Sequence, residues 1–286
     1  MPAKPRHYWN SLSALLLAGL LLAATSGCET LGKGDNPVAS LVESFSPPTP
    51  GDAARQMFNP FDPDKRRNGV ALISSSHIGG DEVYLRAYRT LITDEDATVK
   101  AACVRALGLH GTADDAKLIA ARLEDRVPNV RLEAAQALQK IRSEEAITPL
   151  STHLRAPQPG QEAGEESADV RAACAYALGQ YPQGRVFDAL VGALNDADYS
   201  VVYAARHSLK TLVGYDLGSD ATLWIIWGRK NETNLFAKQE KYTWQPFDKG
   251  PGFFDHVQFW KDREVPQPKV PVGTEAKKEE GSKSSS

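Results

Sequence analysis

One short segment of this chain occurs four times, and an internal repeat of that kind decides the architecture before any single element is considered. Asp94–Gly108 reads DEDATVKAACVRALG, and it returns as DRVPNVRLEAAQALQ from Asp125, as ESADVRAACAYALG from Glu166 and as DADYSVVYAARHSLK from Asp196. Val99, Val130, Val170 and Val201 are equivalent, with spacings of 31, 40 and 31 residues. Leu107, Leu138, Leu178 and Leu209 keep those spacings, as do Cys103, Ala134, Cys174 and Ala205. Within the first copy Val99, Ala102, Cys103, Ala106 and Leu107 fall on one face of an α-helix. Asp96, Ser167 and Asp198 precede three of these helices as N-caps, and Pro128 suits the first turn of the other. A second amphipathic stripe precedes each copy, in the pairs Tyr88/Ile92, Ile119/Leu123, Leu150/Leu154 and Leu190/Leu194. The unit is therefore helix A, a short turn, helix B and a loop. Four units cover about 81–213, and a half unit precedes them at Asp62–Ser74. One pair cannot bury its apolar face alone, but a stack makes a continuous core. The predicted fold is an all-α solenoid of four to five helix pairs over residues 58–213.

The pattern V-R-x-A-A-x-x-A-L-G behind an acidic turn is cleanest at Val170-Arg171-Ala172-Ala173 with Leu178-Gly179. It resembles HEAT repeats of the phycobilisome-lyase subtype. The resemblance covers about half of the chain and implies a right-handed stack of helix pairs. It says little about activity, because such folds host many roles.

The N-terminus reads as an address. Lys4, Arg6 and His7 are followed by an uncharged run from Leu12 to Ala24, the length of a signal-peptide core and short for a membrane span. Ala24-Thr25-Ser26-Gly27-Cys28 resembles a bacterial lipobox, with Thr25 where leucine is commonest. That resemblance implies cleavage before Cys28 and acylation of its thiol and new amine, enough acyl chain for durable anchoring. Glu29 stands where aspartate resembles an inner-membrane retention signal, which favours the outer membrane. Residues 1–27 are thus a signal peptide and 28–57, rich in Gly, Pro and Ser, a tether. The expected location is the cell envelope, lipid-anchored and facing the periplasm.

Unit 3 is interrupted between its helices by APQPGQEAGEES, Ala156–Ser167, an acidic insertion that reads as a mobile loop. Opposite the core stripe of helix B lie positions 101, 104, 105, 108 and their equivalents, the expected inner curve of the stack. They place Tyr176, Tyr203, Arg206 and His207 as a candidate partner-binding patch, since Tyr and Arg suit protein recognition. Lys100, Arg131 and Arg171 form a ladder expected to pair with turn acids such as Asp94 and Asp125. Cys103 and Cys174 are two units apart, beyond disulfide reach, and read as buried free thiols.

Residues 214–261 form an aromatic-rich C-terminal segment. A short helix capped by Ser219 or Asp220 carries Trp224 and Trp227, and YTWQPFDKGPGFFDHVQFW follows, with Trp244 and Trp260. This ending resembles that of planctomycete HEAT-type lipoproteins. It reads either as a lid over the end of the core or as an aromatic platform for cell-wall glycan. Residues 262–286 are expected to be disordered.

The function classes excluded matter as much. A formal net charge of −3 gives no basic footprint for nucleic acid. None of the six histidines is followed by Glu, the dipeptide through which the similar deoxyhypusine hydroxylases hold iron. P-loop, G-x-S-x-G, CxxC and HExxH motifs are lacking. The expectation is a non-catalytic scaffold or adaptor without metal or cofactor. Its partner would be an envelope protein, self-association stays open, wall-glycan binding is the alternative, and a HEAT-type lyase or hydroxylase ranks third.

Overall fold

The computed structural model describes residues 49–157, 164–246 and 265–274. Its helices are α1 (Pro50–Met57), α2 (Pro63–Ser74), α3 (Glu82–Leu91), α4 (Ala97–His110), α5 (Ala116–Ala120), α6 (Pro128–Leu138), α7 (Ile147–His153), α8 (Ala168–Leu178), α9 (Gly184–Ala193), α10 (Tyr199–Val213) and α11 (Ala221–Lys230). Short 3-10 turns open α5 and α7. Odd-numbered helices up to α9 are the A helices and even-numbered ones the B helices, giving five pairs, with α11 following the last. The cleavage site, Cys28 and Trp260 lie outside the described residues.

Local chemistry starts the helices where the pattern places them. Asp96 accepts from the N–H groups of Thr98 and Val99, Ser167 from Val170 and Asp198 from Ser200, while Pro128 opens α6. Asp220, rather than Ser219, caps α11. Both sequence stripes are core: Val99, Val130, Val170 and Val201 are fully buried, as are Tyr88, Ile119, Leu150 and Leu190. Cys103 and Cys174 are buried and unpaired in that core. Desolvation pushes the Cys103 thiol up to about 12 and raises Cys174 further.

Consecutive B helices pack on one another, α2 on α4, α4 on α6, α6 on α8 and α8 on α10. Small residues let them approach: a Cβ added at Gly108 of α4 would lie 2.7 Å from the Ala137 methyl of α6. The approach is close enough for side chains to reach the neighbouring helix's backbone. Gln139 donates to the Ala173 carbonyl (3.1 Å) and Ser208 to that of Ala175 (2.8 Å).

A ladder of ion pairs ties each B helix to the next unit. Arg66, Lys100, Arg131 and Arg171 reach Asp94, Asp125, Glu165 and Asp196 respectively. The same four carboxylates accept main-chain N–H two residues onward, at Asp96, Val127, Ser167 and Asp198. One acid therefore both shapes the turn before a B helix and clamps the preceding unit. In unit 3 that acid is Glu165, supplied by the returning end of the insertion, so the extra residues leave the ladder unbroken. At α10 the equivalent of the cation is Val202, and the ladder ends.

Three expectations need correction. The tether does not run to residue 57, because α1 begins at Pro50 behind a Thr49–Asp52 capping box and buries Ala53 and Met57 against α2. The half unit at Asp62–Ser74 is thus a full pair. The tail is not wholly disordered: residues 265–274 are described, and Val272 and Lys269 make isolated β-bridges to Ile141 and Trp244. The third concerns the positions taken as the inner curve. Ala101, Val104, Ala135, Ala172 and Ala175 are buried. They form the side of each B helix that faces the next B helix, so small residues occupy them for packing.

Candidate interaction surface

The same geometry explains why α10 differs. Its residues at those positions are Tyr203 and Arg206, where earlier units carry Ala101, Leu132 and Ala172, or Val104, Ala135 and Ala175. No B helix follows α10 among the described residues, so a side chain there meets solvent instead of a neighbour. Tyr203 is 52 % exposed and Tyr199, one turn earlier, 75 %. Their ring centroids lie 6.4 Å apart. Arg206 donates twice to Asp216, both at 2.8 Å, and Asp216 also accepts from the Gly218 N–H at 3.0 Å. The guanidinium holds the Asp216 carboxyl down at about 2. Arg206 is thereby braced by Asp216 on the same helix as the two tyrosine rings.

Tyr176 and His207 sit elsewhere. Their rings meet edge-on at 5.6 Å across the α8–α10 seam. Burial, with Lys210 nearby, pushes the His207 imidazole below its ordinary range. Tyr242 lies near Tyr176 and Tyr181, and burial raises its phenol pKa. The four predicted residues therefore divide into two groups: exposed Tyr203 and half-buried Arg206 on the face that no B helix covers among the described residues, and half-buried Tyr176 with exposed His207 at the α8–α10 seam, near the protein's own C-terminal segment.

Among the described residues, the predicted tryptophans do not share one exposed platform. Trp224 is fully buried, with Phe187 at 6.4 Å, and donates its indole N–H to the Gly218 carbonyl at 2.8 Å. Trp227 is half-buried beside Tyr215, and Trp244 is half-buried with Lys140 and Lys269 over its ring. Trp224 is closed to a sugar because the end of the core needs its indole as packing. Sequence reasoning missed the other side of α11, where Leu223, Ile225 and Ile226 are 50 %, 43 % and 59 % exposed. The signal was present: the run LWIIW is apolar on all sides, more than one buried face can use. Among the described residues no group of three or more His, Cys, Asp or Glu is placed to hold a metal ion, and no helix is long and apolar enough to cross a membrane.

Comparison with known proteins addresses the repeat alone. Residues 87–163 match the family model for HEAT repeats, and residues 170–196 match that for the PBS lyase HEAT-like repeat. No curated protein matches the chain significantly. Among solved structures, the crystal structure of an engineered protein from a structural genomics consortium is similar at 17 % identity and a TM-score of 0.41, over 66 % of this chain and 98 % of that one. The chain carries HEAT repeats, and its described helices form the α-solenoid that such repeats build.

Proposed function

We propose that this protein is a lipid-anchored, non-catalytic adaptor of the cell envelope that binds a partner protein through the open end of its B-helix row. The observation that carries the reading is the terminal face of α10. Positions that hold apolar residues in units 1 to 3, buried at all but Leu132, become Tyr203 and Arg206, with Tyr199 beside them. Aromatic rings and a braced arginine are the residue types that dominate protein-binding hot spots. Helical-repeat stacks are also rigid supports, since each unit is held by its neighbours. The anchoring rests on the signal-like N-terminus and on Cys28 in its lipobox-like setting, and the absence of catalytic motifs supports a binding role.

The test is a crosslinking pull-down from native membranes with wild type, Cys28→Ser and Tyr199→Ala/Tyr203→Ala. Wild type should recover a discrete envelope protein. The tyrosine variant should lose it while keeping its fold, and Cys28→Ser should leave the membrane fraction. Recovery of the same protein at equal yield by the tyrosine variant would remove the α10 face from the reading. Retention of Cys28→Ser on the membrane would remove the lipid anchor.

A further inference from the structure

The C-terminal segment runs back along the ends of the B helices. Glu240 donates its N–H to the Thr211 carbonyl at 2.8 Å, in the last turn of α10. Trp244 and Lys269 exchange two main-chain bonds of 2.8 and 2.9 Å. Val272 then pairs with the loop after α6, donating to the Lys140 carbonyl (2.8 Å) and accepting from the Arg142 N–H (2.7 Å).

Part of that loop is held by a side chain: Tyr181, after α8, donates to the Ser143 carbonyl at 2.9 Å and accepts from the Ser143 N–H at 3.2 Å. The Lys140 carbonyl and the Arg142 N–H just before it are met by main chain, from the protein's own residues 269–273. Pro271 is buried, and Gly273, at φ +83°, stands where an added Cβ would lie 2.6 Å from the Arg142 carbonyl oxygen.

The fit of this occupant is incomplete. Val270 and Val272 are 37 % and 49 % exposed, so little apolar area holds the segment and its release is a low-cost local opening. Lys140 and Lys269 both lie over the Trp244 ring, at 5.4 and 5.9 Å from its centroid, so one ring receives two like charges. The Trp244 indole N–H and the Arg142 Nε are buried without an acceptor among the described residues. Unmet buried donors favour a ligand that brings acceptors.

We propose that the Lys140–Arg142 edge, with Trp244, is a docking site for an extended peptide of a partner protein. The peptide carries a proline followed two residues later by glycine, and an acidic residue two before the proline. The protein's own 269–273 segment is its resident competitor. Strand addition to an open main-chain edge is an established mode of peptide recognition, and proline preorganises the extended form. The inference deepens the adaptor reading but uses a different surface, so its failure leaves the α10 face untouched.

The test uses the full chain and two synthetic peptides, residues 265–274 as they stand and the same peptide with Lys269→Glu. Binding is followed by NMR at the Ile141, Arg142 and Trp244 amide and indole signals. The Val272→Pro chain lacks the donor to Lys140, and Gly273→Ala is strained at its turn, so in both the resident segment is weakened while the helices are untouched. Both variants should bind the Lys269→Glu peptide saturably, several-fold more tightly than the unaltered peptide. Wild type should bind it roughly tenfold or more weakly, because a tethered competitor acts at high effective concentration. No saturable binding to either variant would overturn the proposal, and so would equal affinity for the two peptides or shifts that spare these signals. A wild-type dimer held by exchanged 265–274 segments would overturn the assignment to another protein and give the site to a second copy.

Discussion

Glu165 offers the sharpest test of what holds the stack together. Its side chain is 1 % exposed and accepts from Arg131 at 2.6 and 2.7 Å, from the Ser167 N–H at 2.9 Å and, at 3.3 Å, pairs with His153. Removing one partner of a buried ion pair costs about 3–5 kcal/mol, chiefly by leaving the other charge unpaired. Arg131 is 15 % exposed and keeps the Asp125 and Arg126 carbonyls as acceptors, which puts the cost at the lower end. Losing the acceptor for the Ser167 N–H adds about 1 kcal/mol. Glu165→Ala should therefore destabilise the protein by about 4 kcal/mol. Asp216→Ala breaks an ion pair whose partners are 41 % and 37 % exposed, so it should cost less than about 1 kcal/mol. The double replacement Arg131→Met/Glu165→Leu should lose less than Glu165→Ala, because no charge is stranded. Urea unfolding reads all three, with unchanged slopes licensing the comparison of midpoints. If Glu165→Ala and Asp216→Ala fall within 1 kcal/mol of each other, the ladder does not couple the units and the reasoning fails.

Three further outcomes follow from the same packing. Gly108→Ala should cost about 1–3 kcal/mol, since its methyl would collide with Ala137, whereas Gly192→Ala in α9, with nothing within 4 Å, should gain up to about 1 kcal/mol in helix propensity; thermal unfolding that moves both the same way would refute the account of the B-helix seam. In the Cys28→Ser protein, Cys103 and Cys174 should resist a thiol reagent until denaturant is added, and prompt native-state labelling would contradict their burial. Burial pushes the Glu165 carboxyl up, but its bonds to Arg131 and Ser167 pull it further down, so its folded pKa lies below the unfolded one. A depressed carboxylate contributes stability that is full above the unfolded pKa of about 4.3 and is lost as pH falls through the folded value. The urea-midpoint gap between wild type and Glu165→Gln should thus be constant from neutral pH to about 5 and close in acid below 4; a gap that closes above pH 5 would be inconsistent with it.

The helices were legible in the sequence because the repeat states each of them four times, and because Asp96, Ser167, Asp198 and Pro128 are local signals that act on their own backbone. What escaped was non-local. Helix α1 offers only Ala53 and Met57 as apolar anchors beside a Pro-rich stretch that reads as linker, although Thr49-Pro50-Gly51-Asp52 carried its capping box. The face opposite the core stripe was read as an inner surface because helical periodicity tells which residues share a side, not what the side meets. The alignment of repeats held the answer: Ala101, Leu132 and Ala172 give way to Tyr203, and Val104, Ala135 and Ala175 to Arg206, a change of character that marks an end. The pairing of Val272 with Lys140 and Arg142 leaves no side-chain pattern, since main-chain bonds are made by any residue but proline.

These non-local features change how the stack behaves as a physical object. A solenoid whose units touch only their neighbours is close to a one-dimensional chain, able to fray from either end. The ion-pair ladder does not alter this, because each of its rungs joins adjacent units. The C-terminal segment does, since it contacts Thr211 in the last turn of α10 and then the 140–142 loop after α6, two units back, with Tyr242 near Tyr176 and Tyr181 between. It joins units the helices leave unconnected, so opening the last pair disturbs contacts at the third. A peptide that displaces residues 269–273 from the Lys140–Arg142 edge would remove that link while leaving every helix–helix contact in place. Occupancy at the middle of the stack and freedom of its terminal pair, where Tyr199, Tyr203 and Arg206 lie, are for that reason two readings of one equilibrium.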